Sequence, residues 1–298
     1  MTAQQPQFLD VGPPAGRRRI AYLQQPARHA PSQTAAHADA EPGLLWLCGL
    51  KSEMISTKAT AVAEWARDQG LACLRFDYSG HGQSEGRFED GTVSRWLEEA
   101  EAAFLALTQG PQVLIGSSLG GYIALLLLRR LMGEPETAVG SRQPVAVGRA
   151  TADPRPPTAV SRIKALVLIA PAWDMAELMW QRLPPEARRE IEEKGVFLRP
   201  SRYGDGPYPI TRALIEDGRR HLIGSAPFDP GRRVHIIHGQ QDPDVPYQRS
   251  LDLAAHLQGG WTRLTTVPDG EHRLSRPEDI DQLLDIIRGL VQERPAET

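Results

Sequence analysis

Apolar residues along this chain follow two alternating rhythms. Short unbroken blocks, Leu44-Leu45-Trp46-Leu47-Cys48, Leu71 to Phe76, Val113 to Ile115, Ala165 to Ile169 and Val234 to Ile237, read as strands buried on both faces. Between them, apolar positions recur at helical spacing. Thr57 to Gln69 carries Val62, Ala63, Trp65 and Ala66 and stops at Gly70. Val93, Trp96, Leu97, Ala100, Phe104 and Leu107 mark one face of a second helix, ended by Gly110-Pro111. A third runs from Leu119 to Leu131. The pattern closes with a helix over Tyr247 to Leu257, a strand over Trp261 to Val267, and a helix over Pro277 to Val291. The stripe of that last helix is Ile280, Leu283, Leu284, Ile287, Leu290 and Val291. Such alternation predicts an α/β fold, a mostly parallel sheet with helices on both faces.

Three stretches depart from this rhythm. Residues 7 to 24 hold two short runs around Gly12-Pro13-Pro14-Ala15-Gly16, which predicts an opening β-hairpin, and the Pro/Ala/His-rich residues 25 to 43 read as a loop. Residues 133 to 162, rich in Gly, Pro, Ser, Thr and Ala, read as a surface excursion between a helix and its strand. Residues 171 to 230 contain amphipathic segments, Met175 to Leu183, Pro184 to Glu193 and Ile210 to Leu222, with the short run Val196-Phe197-Leu198 between them. Trp173, Met175, Leu178, Met179 and Trp180 give this part an apolar underside. The expected organisation is a core of residues 1–170 and 231–298, with 171–230 inserted as a cap over an active site.

Composition narrows the partners. The 34 Lys and Arg stand against 37 Asp and Glu, and a net charge of -3 gives no electrostatic reason to expect nucleic acid. The most apolar run, Tyr122 to Leu128, stops at Arg129-Arg130 and is far too short for a membrane span. Cys48 and Cys73 lie inside apolar blocks and read as buried small hydrophobes. The N-terminal segment lacks an apolar signal core, so the cytoplasm is the expected compartment. Oligomeric state is not legible.

The chemistry is concentrated in Gly116-Ser117-Ser118-Leu119-Gly120-Gly121, between a strand and an apolar helix. In that setting the small residues allow a sharp turn that lifts the Ser118 hydroxyl above the sheet, while Ser117 occupies a spacer position. No lysine follows as in a phosphate-binding loop. A serine hydroxyl needs a base, and His272 is the best placed of eight histidines, because it follows the last strand and precedes the last helix. His81, after an earlier strand end, is an alternative contact for substrate; His235 and His238, in or at the end of a strand, have a structural role by default. The orienting acid should leave another strand end, and Asp242 after Gly239 is the choice over Asp244 and Asp174. Asp77 fits the chain order poorly and is expected to bond backbone in the turn Tyr78 to Gly82. For the oxyanion, backbone N–H groups are needed, from Leu119 and, out of Gly49 to Met54, from Leu50. No metal-ligand spacing is present, and no cofactor is expected.

Three segments, Gly116 to Gly121, His238 to Pro246 and Gly270-Glu271-His272, together resemble the α/β-hydrolase superfamily in order and spacing. Arg75-Phe76-Asp77-Tyr78-Ser79-Gly80-His81-Gly82-Gln83-Ser84-Glu85-Gly86, with Trp96 and Gly110-Pro111, is similar to the branch holding the mitochondrial palmitoyl-protein thioesterase and acyl-glucuronide esterase. The resemblance runs from about residue 44 to 291, leaving 133 to 162 uncovered, and implies Ser118 as nucleophile, Asp242 as acid and His272 as base. Where that family's first oxyanion loop usually begins His-Gly or Pro-Gly, this chain has Cys48-Gly49, which bears on the acyl pocket wall rather than on the backbone donor. The implied substrate is a small ester or thioester with an apolar acyl group, with lipid-like and polymeric esters inside the same range. An amide or acyl-peptide hydrolase with the same triad, and a non-catalytic binding protein on this fold, are the competing readings.

Overall fold

The apolar blocks become the middle of an eight-stranded sheet. A computed structural model describes residues 4–28, 41–133, 159–200, 206–224 and 226–292. The chain opens with β1 (Gln7–Val11) and β2 (Arg18–Gln25), the antiparallel hairpin expected from the turn residues between them. Then follow β3 (Gly43–Leu47), α1 (Thr57–Gln69), β4 (Cys73–Phe76), α2 (Val93–Leu107), β5 (Gln112–Ser117) and α3 (Leu119–Leu131). After β6 (Ile163–Ile169) come α4 (Met175–Arg182), α5 (Pro185–Lys194), β7 (Val196–Arg199), β8 (Tyr208–Thr211) and α6 (Arg212–Gly218). The remaining elements are β9 (Arg233–Gly239), α7 (Gln248–His256), β10 (Thr262–Val267) and α8 (Pro277–Gln292).

Sheet order is β1-β2-β4-β3-β5-β6-β9-β10, and every neighbouring pair from β4 to β10 is parallel. At the other edge β1 meets β2, and β2 meets β4, antiparallel. Helices α1 and α8 pack together, as do α2 and α3, so the sheet is sandwiched between two layers. The fold is the mostly parallel α/β sheet that the strand and helix rhythm pointed to, and it has the α/β-hydrolase architecture that the resemblance implied. From β3 the chain runs to β4 on one side, then returns to β5 on the other. At such a reversal the loops leaving adjacent strand ends diverge to opposite faces and open a crevice. That crevice lies between the ends of β3 and β5.

Local chemistry explains the element ends. Gly70 stops α1 in the left-handed region at φ 77°. Thr92 caps α2 by accepting from the Arg95 amide at 3.3 Å. Helix α3 is buried continuously from Leu119 to Leu128, which accounts for its uninterrupted apolar run. Cys48 and Cys73 are buried free thiols. No helix among the described residues is long and apolar enough to cross a membrane.

Within 171–230 the structure departs from expectation at one place. The helix expected from Ile210 begins only at Arg212, because Tyr208–Thr211 pairs antiparallel with Val196–Arg199 as a two-stranded ribbon. Thr211 then caps α6, accepting from the Leu214 amide at 3.1 Å. The sequence pattern hid this strand because it is four residues long and contains Pro209, which is tolerated at an edge. The segment is closed at its base by Asp174, whose Oδ1 accepts from the Ile223 amide at 2.7 Å. It docks on α2 through Asp217, which accepts from the Ser94 amide at 2.8 Å and hydroxyl at 2.7 Å. Arg182 of α4 donates to the carbonyls of Pro243 and Asp244 in the loop after β9. Of the 133–162 excursion, residues 134–158 lie outside the described residues.

Candidate active site

Ser118 ends the turn between β5 and α3 with φ 54° and ψ -112°, a conformation that L residues rarely adopt and that costs on the order of 1–3 kcal/mol. The turn is possible because Gly116 and Gly120 face one another. A Cβ on Gly116 would overlap the Gly120 carbonyl, and one on Gly120 would overlap the carbonyl of Leu47 at the end of β3. Backbone bonds hold the corner: the Ser118 amide donates to the Ile169 carbonyl at 2.8 Å, and the Ala172 amide donates to the Ser118 carbonyl at 3.1 Å. The hydroxyl is half-buried at the start of α3, where the helix dipole favours negative charge.

The sequence placed a histidine and an acid far along the chain, and the structure brings both to this hydroxyl. His272 Nε2 lies 3.1 Å from Ser118 Oγ, and His272 Nδ1 lies 2.7 Å from Asp242 Oδ2. Asp242 faces an acceptor-seeking ring nitrogen, so Nδ1 bears the proton and Nε2 is left to accept from the hydroxyl. The loops carrying these two residues are laced together: the Gln240 amide donates to Val267 O and the Gln241 amide to Gly270 O, both at 2.9 Å. Burial alone would raise the Asp242 carboxyl, but hydrogen bonds from His238 and His272, the charge of His272 and the Val245 amide hold it well below the usual carboxylate range. It is therefore ionised wherever the protein is folded near neutrality.

Asp244 does not take this position. Its amide donates to Asp242 Oδ1 at 2.8 Å, so it serves the turn that aims Asp242. Asp242, Asp244 and His272 also form a group of possible metal ligands within 4.8 Å of one another. Asp242 Oδ2 and both His272 nitrogens are already committed to hydrogen bonds, so an ion would have to break the line to Ser118. Asp174, the other acid considered, is occupied with Ile223.

The crevice brings the β3–α1 loop to the same hydroxyl. A Cβ on Gly49 would lie 3.6 Å from Ser118 Cβ, which sets Leu50 next to the corner. This loop is anchored by Asp77, whose Oδ1 accepts from the Met54 amide at 2.6 Å while Oδ2 accepts from Gln83 N at 2.9 Å, and by Arg75, which donates to Met54 O at 3.0 Å. The turn role expected of Asp77 holds for Gln83; its reach to Met54 carried no sequence signal. Leu119 opens α3, so its amide has no intrahelical acceptor. His81 is buried, with Nδ1 3.2 Å from the Ser79 carbonyl and its ring against Tyr78, Phe88 and Trp96; burial lowers it to about 4, so it is neutral near pH 7.

Two further residues serve the site without having been legible. Lys58 of α1 donates to the carbonyl of Arg273, the residue after His272, and sits 3.3 Å from Ser275 Oγ. His238, at the end of β9, touches Asp242 directly, with Nε2 3.0 Å from Oδ2. A helical lysine and a strand-end histidine read as surface and core residues; the Lys58 contact spans 215 positions of the chain, and that of His238, only four positions long, depends on how the turn after β9 folds back.

The profile of the Alpha/beta hydrolase family matches residues 46–283. The mitochondrial palmitoyl-protein thioesterase ABHD10 of Mus musculus is 32% identical over 253 residues, 85% of this chain and 76% of its own length. Among solved structures, a putative hydrolase from Agrobacterium vitis S4 superposes with a TM-score of 0.83 at 38% identity, covering 97% of this chain and 99% of its own. Mouse alpha/beta hydrolase domain-containing protein 10 superposes at 0.75 with 28% identity, covering 96% and 98%. The mitochondrial address in the thioesterase's name lends the cytoplasmic expectation no support. On the strength of the family match and the shared fold, this chain belongs to the α/β hydrolase family.

Proposed function

We propose that this protein is a serine hydrolase cleaving carboxylic esters or thioesters through an acyl-enzyme, with Ser118 as nucleophile, His272 as general base and Asp242 as the acid that orients it. The supporting observation is the continuous line Ser118 Oγ, His272, Asp242 at 3.1 and 2.7 Å. His272 Nε2 takes the hydroxyl proton as Ser118 Oγ attacks the acyl carbonyl, and Asp242 stabilises the imidazolium. The tetrahedral oxyanion is met by the amides of Leu119 and Leu50, which are aimed by the helix start and by the anchored β3–α1 loop. The imidazolium then protonates the departing alkoxide or thiolate. Water, activated by the same ring, releases the acid and restores Ser118.

Residues 171–230 act as the cap in this reading, because Arg182 fastens α4 to the loop that carries Asp242. The two tryptophans of the apolar underside are covered by guanidinium groups, Trp173 by Arg249 at 3.9 Å and Trp180 by Arg219 at 5.0 Å. Met175, Leu178 and Met179, packed into and against the core at the start of the segment, are the adaptable apolar groups against which an acyl chain would lie in this reading. Thioesters enter the reading first, since relatives of about 30% identity carry the name palmitoyl-protein thioesterase. Turnover of p-nitrophenyl esters of rising chain length, acyl-CoA thioesters and matched anilides tests the proposal. Ser118→Ala should lose at least about a thousandfold in kcat while Ser117→Ala keeps most of it. Equal turnover in the Ser118→Ala protein would remove the nucleophile assignment, and a folded wild type that no fluorophosphonate labels would favour a binding role.

A further inference from the structure

Asp242 is more tightly held than a two-residue partnership with His272 requires. Its Oδ1 accepts from the amides of Asp244 and Val245, both at 2.8 Å, and its Oδ2 accepts from His272 Nδ1 at 2.7 Å and His238 Nε2 at 3.0 Å. A carboxylate offers about four lone-pair sites, so all are filled. His238 is itself fully buried and saturated. Nε2 faces two acceptors, Asp242 Oδ2 and the Val245 carbonyl at 3.1 Å, and therefore bears a proton. Nδ1 lies 2.6 Å from Ser250 Oγ of α7, also fully buried, and the Tyr247 ring meets the imidazole edge-to-face at 5.7 Å.

We infer that His238, held by Ser250, is a positioning residue for the reaction: it shares Oδ2 of Asp242 with His272 and so sets both the aim and the effective charge of that carboxylate. This rests on the Ser118–His272–Asp242 reading above. The donated hydrogen bond draws charge off Oδ2, which lessens the stabilisation of a protonated His272. It also occupies the one lone pair around which the carboxylate could turn or take up water. The other charged and titratable groups near this set are Asp244 in the same loop, Glu271 beside His272, Arg182 from α4 on the carbonyls of Pro243 and Asp244, Lys58 from α1 on the Arg273 carbonyl, Arg273 itself, and Tyr247, whose hydroxyl is 2.5 Å from Thr266 Oγ1. The carboxylate of Asp244 lies within 4.8 Å of Asp242 and His272, while the hydrogen bonds on Asp242 Oδ2 come from His238 and His272.

The test is the pH profile of kcat/KM for ester hydrolysis by His238→Phe, His238→Gln and Ser250→Ala. In His238→Phe the acid limb should move to higher pH by about half to one unit, because an undiluted Asp242 charge favours the protonated base. Plateau kcat should fall about tenfold with KM within about twofold. Gln places an amide donor where Nε2 stands, so His238→Gln should restore most of both. Ser250→Ala, with the ring loosened, should shift the limb the same way by less. An unmoved or downward limb in folded His238→Phe overturns the inference, as does a His238→Gln protein as impaired as His238→Phe. Should His238→Phe not fold, an unmoved limb in Ser250→Ala overturns it instead. Ser118→Ala is assayed alongside. If it retains turnover, the triad reading has failed and this inference with it; if it is dead and the limbs are unmoved, only the role of His238 falls.

Discussion

At the scale of single residues, the two acids of the turn after β9 are separated by geometry that their spacing in sequence could not express. Asp242 turns inward to the imidazole of His272, and Asp244 gives its backbone to the turn. Asp242→Asn should therefore lower kcat by about three to four orders of magnitude, since an amide would force the wrong tautomer on His272. Asp244→Asn keeps the amide that bonds Asp242 and should cost less than about tenfold. Steady-state kinetics on one ester separates the two, and a larger loss at Asp244 would reassign the acid. Ser118 is marked by signals within a few residues of it: glycines on either side, a strand in front and an apolar helix behind. The acid needed more, because both aspartates sit in one short polar stretch and share the same local chemistry.

At the scale of elements, the segment 171–230 has its entry and exit tied together by one half-buried carboxyl. Asp174 stands at the entry to α4 with φ 55° and ψ 36°, and it accepts from Ile223 at the exit of the segment. Burial raises it to about 6 from its ordinary 3.8. The folded state thus binds the proton more tightly than the unfolded chain, and folding stability falls as pH rises from about 4 through 6. Asn keeps the acceptor oxygen and tolerates the left-handed backbone. Asp174→Asn should then be more stable than wild type by about 1–3 kcal/mol at pH 8, with the difference fading towards pH 4. Thermal melts across that range check it; a variant less stable at pH 8 would show that the charge is needed at this tie. The helices of this segment were legible from their amphipathic spacing. The ribbon of β7 and β8 was not, because two four-residue strands define each other only by pairing.

At the scale of the whole molecule, the candidate site is assembled by loops from β3, β5, β9 and β10 and held from outside by helices. Lys58 of α1 is an instance, as its ammonium fastens the backbone just past His272. Burial lowers it from its ordinary 10.5 to about 8, against partial support from Glu271. Between these values the unfolded chain keeps a proton that the folded chain has shed, so this group makes stability rise with pH from about 8 to 10.5. The difference in Tm between wild type and Lys58→Met should therefore shift in favour of wild type across that window. Near pH 7 the same variant should lose about five- to tenfold in kcat through a loosened His272 loop. A flat Tm difference would place the lysine outside the buried network, and unchanged kcat would show that the loop holds itself.

Taken by itself, the amino-acid order determined the architecture and the corner at Ser118. Both are written in spacing over a few residues: unbroken apolar blocks for doubly buried strands, helical stripes between them, and glycines where backbones must nearly touch. It also set the order of serine, acid and histidine along the chain. The place of Asp242 after Gly239 already favoured it over Asp244; only the folded molecule decided that His238 joins it and His272 from behind, and that Lys58 and Asp77 hold the loops in place. These contacts join groups on different elements, many of them far apart in the chain. Their energies depend on separations of about 3 Å that no periodicity along one strand or helix encodes.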